Sequence, residues 1–298
     1  DGKSIVFDEG VARLIKKSNC AMYFIKSRGA YTTYPRWTES FVRIGTIKAE
    51  FGRFVSGEEI SKMSVEEIHQ MMLDELDYNE NDYLREANLK FKSRKMAAGL
   101  QNVAYACPKC KKEFVMEFKG SDYIECNSCG NKVRMLPNGL LGGVTSDDVT
   151  FDDLHKYTDW EKEITRAQVK DPDFKLEFKV NLLKPFDPVH FAKTGEGVLT
   201  VTPEKVSYKG TDCDVVEGIP LHKGKVIRKY RNRTLDGKTF PLEVEFKISE
   251  MKGMVAKFGK HVEIYDNAGN LYRFMLEKGQ AAYKIQQIAF MCGKSAKI

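Results

Sequence analysis

No stretch of the 298-residue chain stays apolar long enough to cross a bilayer. A spanning helix needs about 20 apolar residues, whereas the longest candidates, such as Ala21–Ile25, are strand-sized. The opening Asp1-Gly2-Lys3 does not lead into the basic, apolar and small-residue succession of a signal peptide. Internal repeats and low-complexity tracts are missing, which sets repeat architectures aside. Histidine is scarce. His155, His190, His222 and His261 pair with no cysteine or acidic cluster, so no chemistry is assigned to them. The seven cysteines are an odd number, and Cys20, Cys213 and Cys292 stand isolated as small hydrophobes rather than bridge partners. This usage reads as a reducing, cytoplasmic compartment.

What remains is an ordinary folded composition, 42% hydrophobic and 30% charged, with length for two or three domains. The net charge is +6, and residues 171–298 hold 22 Lys and Arg against 16 Asp and Glu, so the excess lies in the C-terminal part. That balance admits an anionic partner, a membrane surface or nucleic acid. There, Lys223, Lys225, Arg228, Lys229, Arg231 and Arg233 put six cations into eleven residues with no acid between them. The run is either an anionic-lipid surface, where each basic group is worth about 1 kcal/mol, or a solvated strand face and turn. Nucleic acid is disfavoured, because Tyr230 is the one interleaved aromatic.

The most specific motif is Cys107-Pro108-Lys109-Cys110 followed by Cys126-Asn127-Ser128-Cys129, with fifteen residues between the pairs. A two-residue gap lets one tight turn present two thiolates to one ion, and this spacing is a zinc signature. A catalytic zinc keeps an open position, which four thiolates would close. Thiol redox chemistry suits an isolated Cys-x-x-Cys better than two paired ones. The expectation is structural Zn2+ on Cys107, Cys110, Cys126 and Cys129 in a zinc ribbon spanning 104–138.

Along the chain, Val11, Leu14 and Ile15 predict a helix over 10–17, and Ala21–Ile25 predicts a strand buried on both faces. The alternation of Val42, Ile44 and Ile47 predicts a strand over 41–51. Ser64-Val65-Glu66-Glu67 is a capping box opening an amphipathic helix. Residues 77–103 read as a partly helical linker and 139–143 as a flexible exit from the ribbon. A helix over 152–170 should carry Leu154, Tyr157, Trp160, Ile164 and Ala167 on one side. Short strands then follow, at 174–183, 197–201, 205–208, 214–219, 226–230, 242–248, 261–265 and 272–276, with a last helix from Gln280. Residues 150–298 suggest a helix and a small capped barrel of pleckstrin-homology (PH) or GRAM type. The predicted class is α+β and multidomain.

Residues 1–75 carry a further pattern: Asp1-Gly2-Lys3, the helix Gly10-Val11-Ala12-Arg13-Leu14, the apolar strand, then Arg28-Gly29-Ala30-Tyr31 and Pro35-Arg36-Trp37. It resembles the second half of the glycerol-phosphate acyltransferase domain, in the form found in 1-acyl-glycerol-3-phosphate acyltransferases. The resemblance implies a partial α/β acyltransferase domain over 1–76 and an acyl thioester and lysophosphatidate as the parent's substrates. It also implies a cytoplasmic location on the inner membrane face. In that family a His-x4-Asp motif supplies the general base and its orienting carboxylate, and a Pro-Glu-Gly-Thr-Arg motif binds phosphate. Both fall upstream of Asp1, so no catalytic residue is assigned and the chain is expected to be silent alone. The loop residues Arg28, Tyr31, Arg36 and Trp37 would lie near the acyl-acceptor pocket, or simply pack. Ala21 and Phe24 stand where the family's strand usually carries prolines.

Two look-alikes are set aside. His69 and Asp74 spell His-x4-Asp, but positions five apart on a helix point about 140° apart. Asp8-Glu9-Gly10 lacks the following Thr-Arg and reads as a helix start. The alternative to an enzyme piece is a non-catalytic adaptor of ribbon and capped barrel, binding an anionic lipid or a protein.

Overall fold

The computed structural model describes residues 2–4, 8–87, 89–185, 190–213, 221–222, 225–226, 238–251 and 253–293. The chain is mixed α and β in two compact units, one of residues 1–100 with 107–159, the other of 101–106 with 160–297. No described helix is long and apolar enough to cross a membrane.

In the first unit, α1 (Gly10–Ser18) ends on Asn19 in the left-handed conformation, φ 50°, whose N–H donates to the Ile15 carbonyl. Strand β1 (Met22–Arg28) pairs antiparallel with β2 (Lys48–Val55), with a bulge between Tyr23 and Ile25. Between them lies the short helix α2 (Ala30–Thr33). Two capping boxes, Ser56 with Glu59 and Ser64 with Glu67, open α3 (Gly57–Lys62) and α4 (Val65–Leu76). These elements bury Ala12, Phe24, Val55, Ile60, Ile68, Met71 and Met72 together. Burial of Ala21–Ile25 is one-sided, however. Phe24 is buried, but Tyr23, Ile25, Phe51 and Phe54 on the opposite face are each about half exposed or more. The reason is that the helices cover one face of a two-stranded sheet.

The strand expected over 41–51 begins at Lys48 instead. Ile44 forms an isolated bridge with Lys92, and the bare backbone of Gly45 lies against the Phe91 ring, where an added Cβ would sit 2.3 Å from it. Long-range packing thus overrides alternation here. Residues 77–103 contain α5 (Glu80–Ala87), which buries Glu80, Asn81 and Leu84 and so packs as part of the unit.

Residues 107–143 form a four-stranded antiparallel sheet in the order β3-β4-β5-β6: Met116–Phe118, Tyr123–Cys126, Lys132–Met135 and Leu141–Gly143. Met116, Ile124, Val133, Met135 and Leu141 are its buried side chains. Residues 139–143 are a packed strand and turn rather than a flexible exit. Gly139 has φ +88°, and a Cβ there would lie 2.6 Å from the Thr32 methyl and 3.1 Å from Leu84.

Helix α6 spans Leu154–Gln168. On the side predicted from sequence, Leu154 and Tyr157 are buried, Trp160 and Ile164 are half-buried and Ala167 is exposed, while Glu161 and Thr165 are buried. The chain at 105–106 needs polar partners: Ala106 N–H donates to Glu161 Oε1 (2.8 Å), and the Tyr105 and Thr165 hydroxyls meet at 3.3 Å.

The rest of the second unit is a seven-stranded antiparallel sheet, in the order β12-β9-β8-β7-β15-β14-β13. In chain order the strands are β7 (Leu176–Pro185), β8 (Phe191–Val201), β9 (Lys205–Cys213), β12 (Thr239–Lys247), β13 (Met254–Lys257), β14 (His261–Tyr265) and β15 (Leu271–Leu276). A separate pair, β10 (Leu221–His222) and β11 (Lys225–Val226), lies between β9 and β12 in sequence. One meander of four strands and one of three join through β15 and β7. Phe178, Val180, Leu182, Leu199, Tyr208, Phe246, Ile264 and Phe274 are buried in the sheet, and Ala281, Ile285 and Ile288 of α7 (Ala281–Cys292) are buried as well. The predicted strand at 214–219 lies outside the described residues, as does most of the one at 226–230.

Candidate metal centre

Two turns of the same construction carry the four cysteines. In the first, Lys111 N–H donates to the Cys107 carbonyl (2.8 Å) and Cys107 N–H to the Lys112 carbonyl (2.9 Å). In the second, Gly130 N–H donates to the Cys126 carbonyl and Cys126 N–H to the Asn131 carbonyl, both at 2.9 Å. The residue after each second cysteine must turn left-handed: Gly130 has φ 73° and Lys111 φ 61°. Glycine does this without strain, and lysine at a cost.

The four sulfur atoms lie within 4.8 Å of one another. Cys107 and Cys129 Sγ are 3.6 Å apart, and Cys110 and Cys126 Sγ 3.7 Å. A tetrahedron with metal–sulfur bonds of about 2.3 Å has edges of about 3.8 Å. The donor set and spacing therefore fit one thiophilic ion, and these four residues could hold a metal compatible with zinc. Burial pushes the Cys107 thiol well above its ordinary pKa and raises Cys126. Burial also acts on Cys110, but the Lys112 amide and the neighbouring sulfurs outweigh it and bring the pKa down to about 7. Packed sulfurs share charge poorly among themselves, whereas a bound cation would deprotonate the whole set. Ser128 N–H points at Cys126 Sγ (3.4 Å), and Lys112 Nζ donates to the Ser128 hydroxyl (2.9 Å).

The loop residues singled out by sequence are placed differently from one another. Arg28 pairs with Glu50 (2.5 Å) and lies over the rings of Tyr78 and Tyr83, 5.2 and 5.1 Å from their centroids. Trp37 is buried beneath the Arg43 guanidinium, 4.9 Å from its ring, and near the Tyr31 hydroxyl. Arg36 is exposed. Tyr31 and Trp37 come together; Arg28 faces tyrosines of another segment. The run from Lys223 to Arg233 lies outside the described residues apart from Lys225, which is placed in β11. His69 and Asp74 share α4, where Asp74 accepts from the Gln70 amide (2.8 Å).

Sequence reading missed the residues that hold this loop. Glu80 is buried, and its carboxylate accepts from Gly29 N (2.9 Å), Thr32 N (3.0 Å), the Thr32 hydroxyl (2.7 Å) and the Tyr78 hydroxyl (2.7 Å). Arg43, also buried, donates to the Thr32 carbonyl (2.8 Å) and the Met96 carbonyl (2.7 Å), and desolvation lowers its pKa to about 10. Apart from Tyr78, two residues from Glu80, these partners lie 11 to 53 residues away, so no local pattern points to them. Comparison of the chain with protein-family models, curated proteins and solved structures finds no match in any of the three.

Proposed function

We propose that this chain is the C-terminal part of a 1-acyl-glycerol-3-phosphate acyltransferase, with a structural zinc ribbon and a PH/GRAM-like domain fused to it. The observation that carries the reading is the order helix, strand, Arg28-Gly29-Ala30-Tyr31 loop, and the way that loop is built. Gly29 has φ +81°, and a Cβ would lie 2.4 Å from the Thr46 carbonyl, so glycine is required there. Its N–H and that of Thr32 both converge on Glu80. Such a fixed loop suits holding an acyl acceptor, with Arg36 exposed beside it. Four thiolates closing the metal's coordination support a structural ion, whose role is to hold the ribbon together rather than to do chemistry. Four-plus-three antiparallel strands followed by a helix support the PH/GRAM-like assignment. The setting proposed is cytoplasmic, at the inner membrane face.

The purified chain should transfer no acyl group from an acyl thioester to lysophosphatidate. The coding sequence immediately upstream should specify His-x4-Asp and then Pro-Glu-Gly-Thr-Arg. A start codon at that point would sink the enzyme reading and leave the adaptor, a reading favoured by the capped sheet and the basic run. Changing Lys229, Arg231 and Arg233 together to alanine should weaken co-sedimentation with anionic vesicles. Unchanged binding would remove that run from the reading.

A further inference from the structure

Within the first unit, hydrogen bonds and ion pairs, joined by the backbone of residues 144–153 and of α5, lead from the metal turns to the Arg28–Trp37 loop. Asn131, 1% exposed, closes the second turn with its carbonyl and clasps Val149 with its side chain. Val149 N–H donates to Asn131 Oδ1 (2.7 Å), and Asn131 Nδ2 donates to the Val149 carbonyl (2.9 Å). Asp148, next to it, accepts from Lys132 N (2.8 Å), Val144 N (3.1 Å), Thr145 N (2.8 Å) and the Thr145 hydroxyl (3.0 Å). From the first turn, Lys109 Nζ donates to the Asp147 carbonyl (3.1 Å). Both turns thus fix one strap, residues 144–153. The far end of the strap carries Asp152 and Asp153, which hold Arg85 of α5, Asp152 at 3.1 Å. The first residue of α5 is Glu80, the acceptor at the root of the loop. A second connection is direct: the turn at Gly139 seats on Thr32 and Leu84.

We infer that metal loading sets the conformation of the Arg28–Trp37 loop, with Asn131, the 144–153 strap and Arg85 as positioning residues between the two. The ion orders the turns, the turns order the strap, and the strap holds α5 so that Glu80 meets the amides of Gly29 and Thr32. The coupling concerns any ligand of that loop and does not depend on the acyltransferase reading.

The test is hydrogen exchange of the full chain, loaded with one equivalent of Zn2+ and then stripped by a chelator. Loss of metal should speed exchange of amides in 28–37 and 78–87 by roughly tenfold or more, while 57–76 in α3 and α4 stays protected, as expected for a sub-global opening. Two variants that leave all cysteines in place, Asn131→Ala and Arg85→Ala, should still bind one equivalent, measured with a colorimetric chelator. Yet their 28–37 amides should exchange faster with metal present, by at least half of the logarithmic effect of stripping. Protection of 28–37 that is indifferent to metal would overturn the inference. So would loss of 57–76 together with 28–37, which marks unfolding instead of relay. Loop protection in both variants equal to that of the loaded parent would overturn it as well.

Discussion

Replacing Glu80 by glutamine tests the loop's construction at a single atom. The carboxylate is 1% exposed, and each of its oxygens takes one backbone N–H and one hydroxyl: Oε1 from Thr32 N and the Thr32 hydroxyl, Oε2 from Gly29 N and the Tyr78 hydroxyl. An amide keeps one acceptor and puts an NH2 group where the other was. A hydroxyl can turn and accept from that NH2, but a backbone N–H cannot. Either orientation of the substituted amide therefore strands one buried N–H, that of Gly29 or that of Thr32. An unsatisfied buried donor costs about 1–3 kcal/mol. Glu80→Ala strands both, for about 2–6 kcal/mol before any packing loss. The assay is urea unfolding followed by fluorescence of Trp37, which is 2% exposed, in a Trp160→Phe background. Midpoints convert to free energies at unchanged slope. The glutamine variant should fall between the parent and the alanine variant. A glutamine variant as stable as the parent, or as unstable as alanine, would show that the two oxygens do not act separately.

Other outcomes follow from the same interactions. Metal analysis of the purified chain should find one zinc, and Cys107→Ser or Cys126→Ser should abolish it and broaden the NMR signals of 107–143. So few buried apolar side chains cannot order that sheet unaided; retained metal with three thiolates would count against a closed site. In the second unit, burial first and Arg273 second hold the His261 pKa down to about 4, against an ordinary 6.5. As pH falls, the unfolded chain takes the proton first, so this contribution to stability is complete above about 6.5 and lost progressively towards 4. The loss amounts to about 3 kcal/mol at most, and His261→Gln should flatten the acid limb of the unfolding curve over that window. An unchanged limb would place the acid sensitivity elsewhere.

Residues whose partners are local declared themselves in the sequence. The capping box at Ser64 and the helix after it are recurrences at three and four residues, and they stand as predicted. The paired Cys-x-x-Cys turns are equally local: each is closed by bonds between residues four and five apart, so spacing alone places both thiolates. Both turns take a left-handed step, at Gly130 and at Lys111. Apolar patterning was less decisive. Ala21–Ile25 announced a strand but not that Tyr23 and Ile25 would face outward, because exposure depends on what lies across the sheet. On α6, Glu161 and Thr165 are buried and Ile164 half-buried, because Glu161 accepts from the Ala106 amide and Thr165 meets the Tyr105 hydroxyl.

The helix start at Ser64 and the four cysteines that could hold a metal were legible from neighbours within a few residues. The sequence also determined that a β-rich segment ends in a helix, through the change of apolar period. That residues 107–159 belong to one unit with residues 1–100 depends on packing across the fold and not on any local pattern. Packing alone brought Glu80 to Gly29, Arg43 to Met96 and Asp153 to Arg85. Those pairs are separated by up to 68 residues. They form because buried charges must find partners once the core has closed, a requirement that acts on the folded whole and leaves no period in the chain.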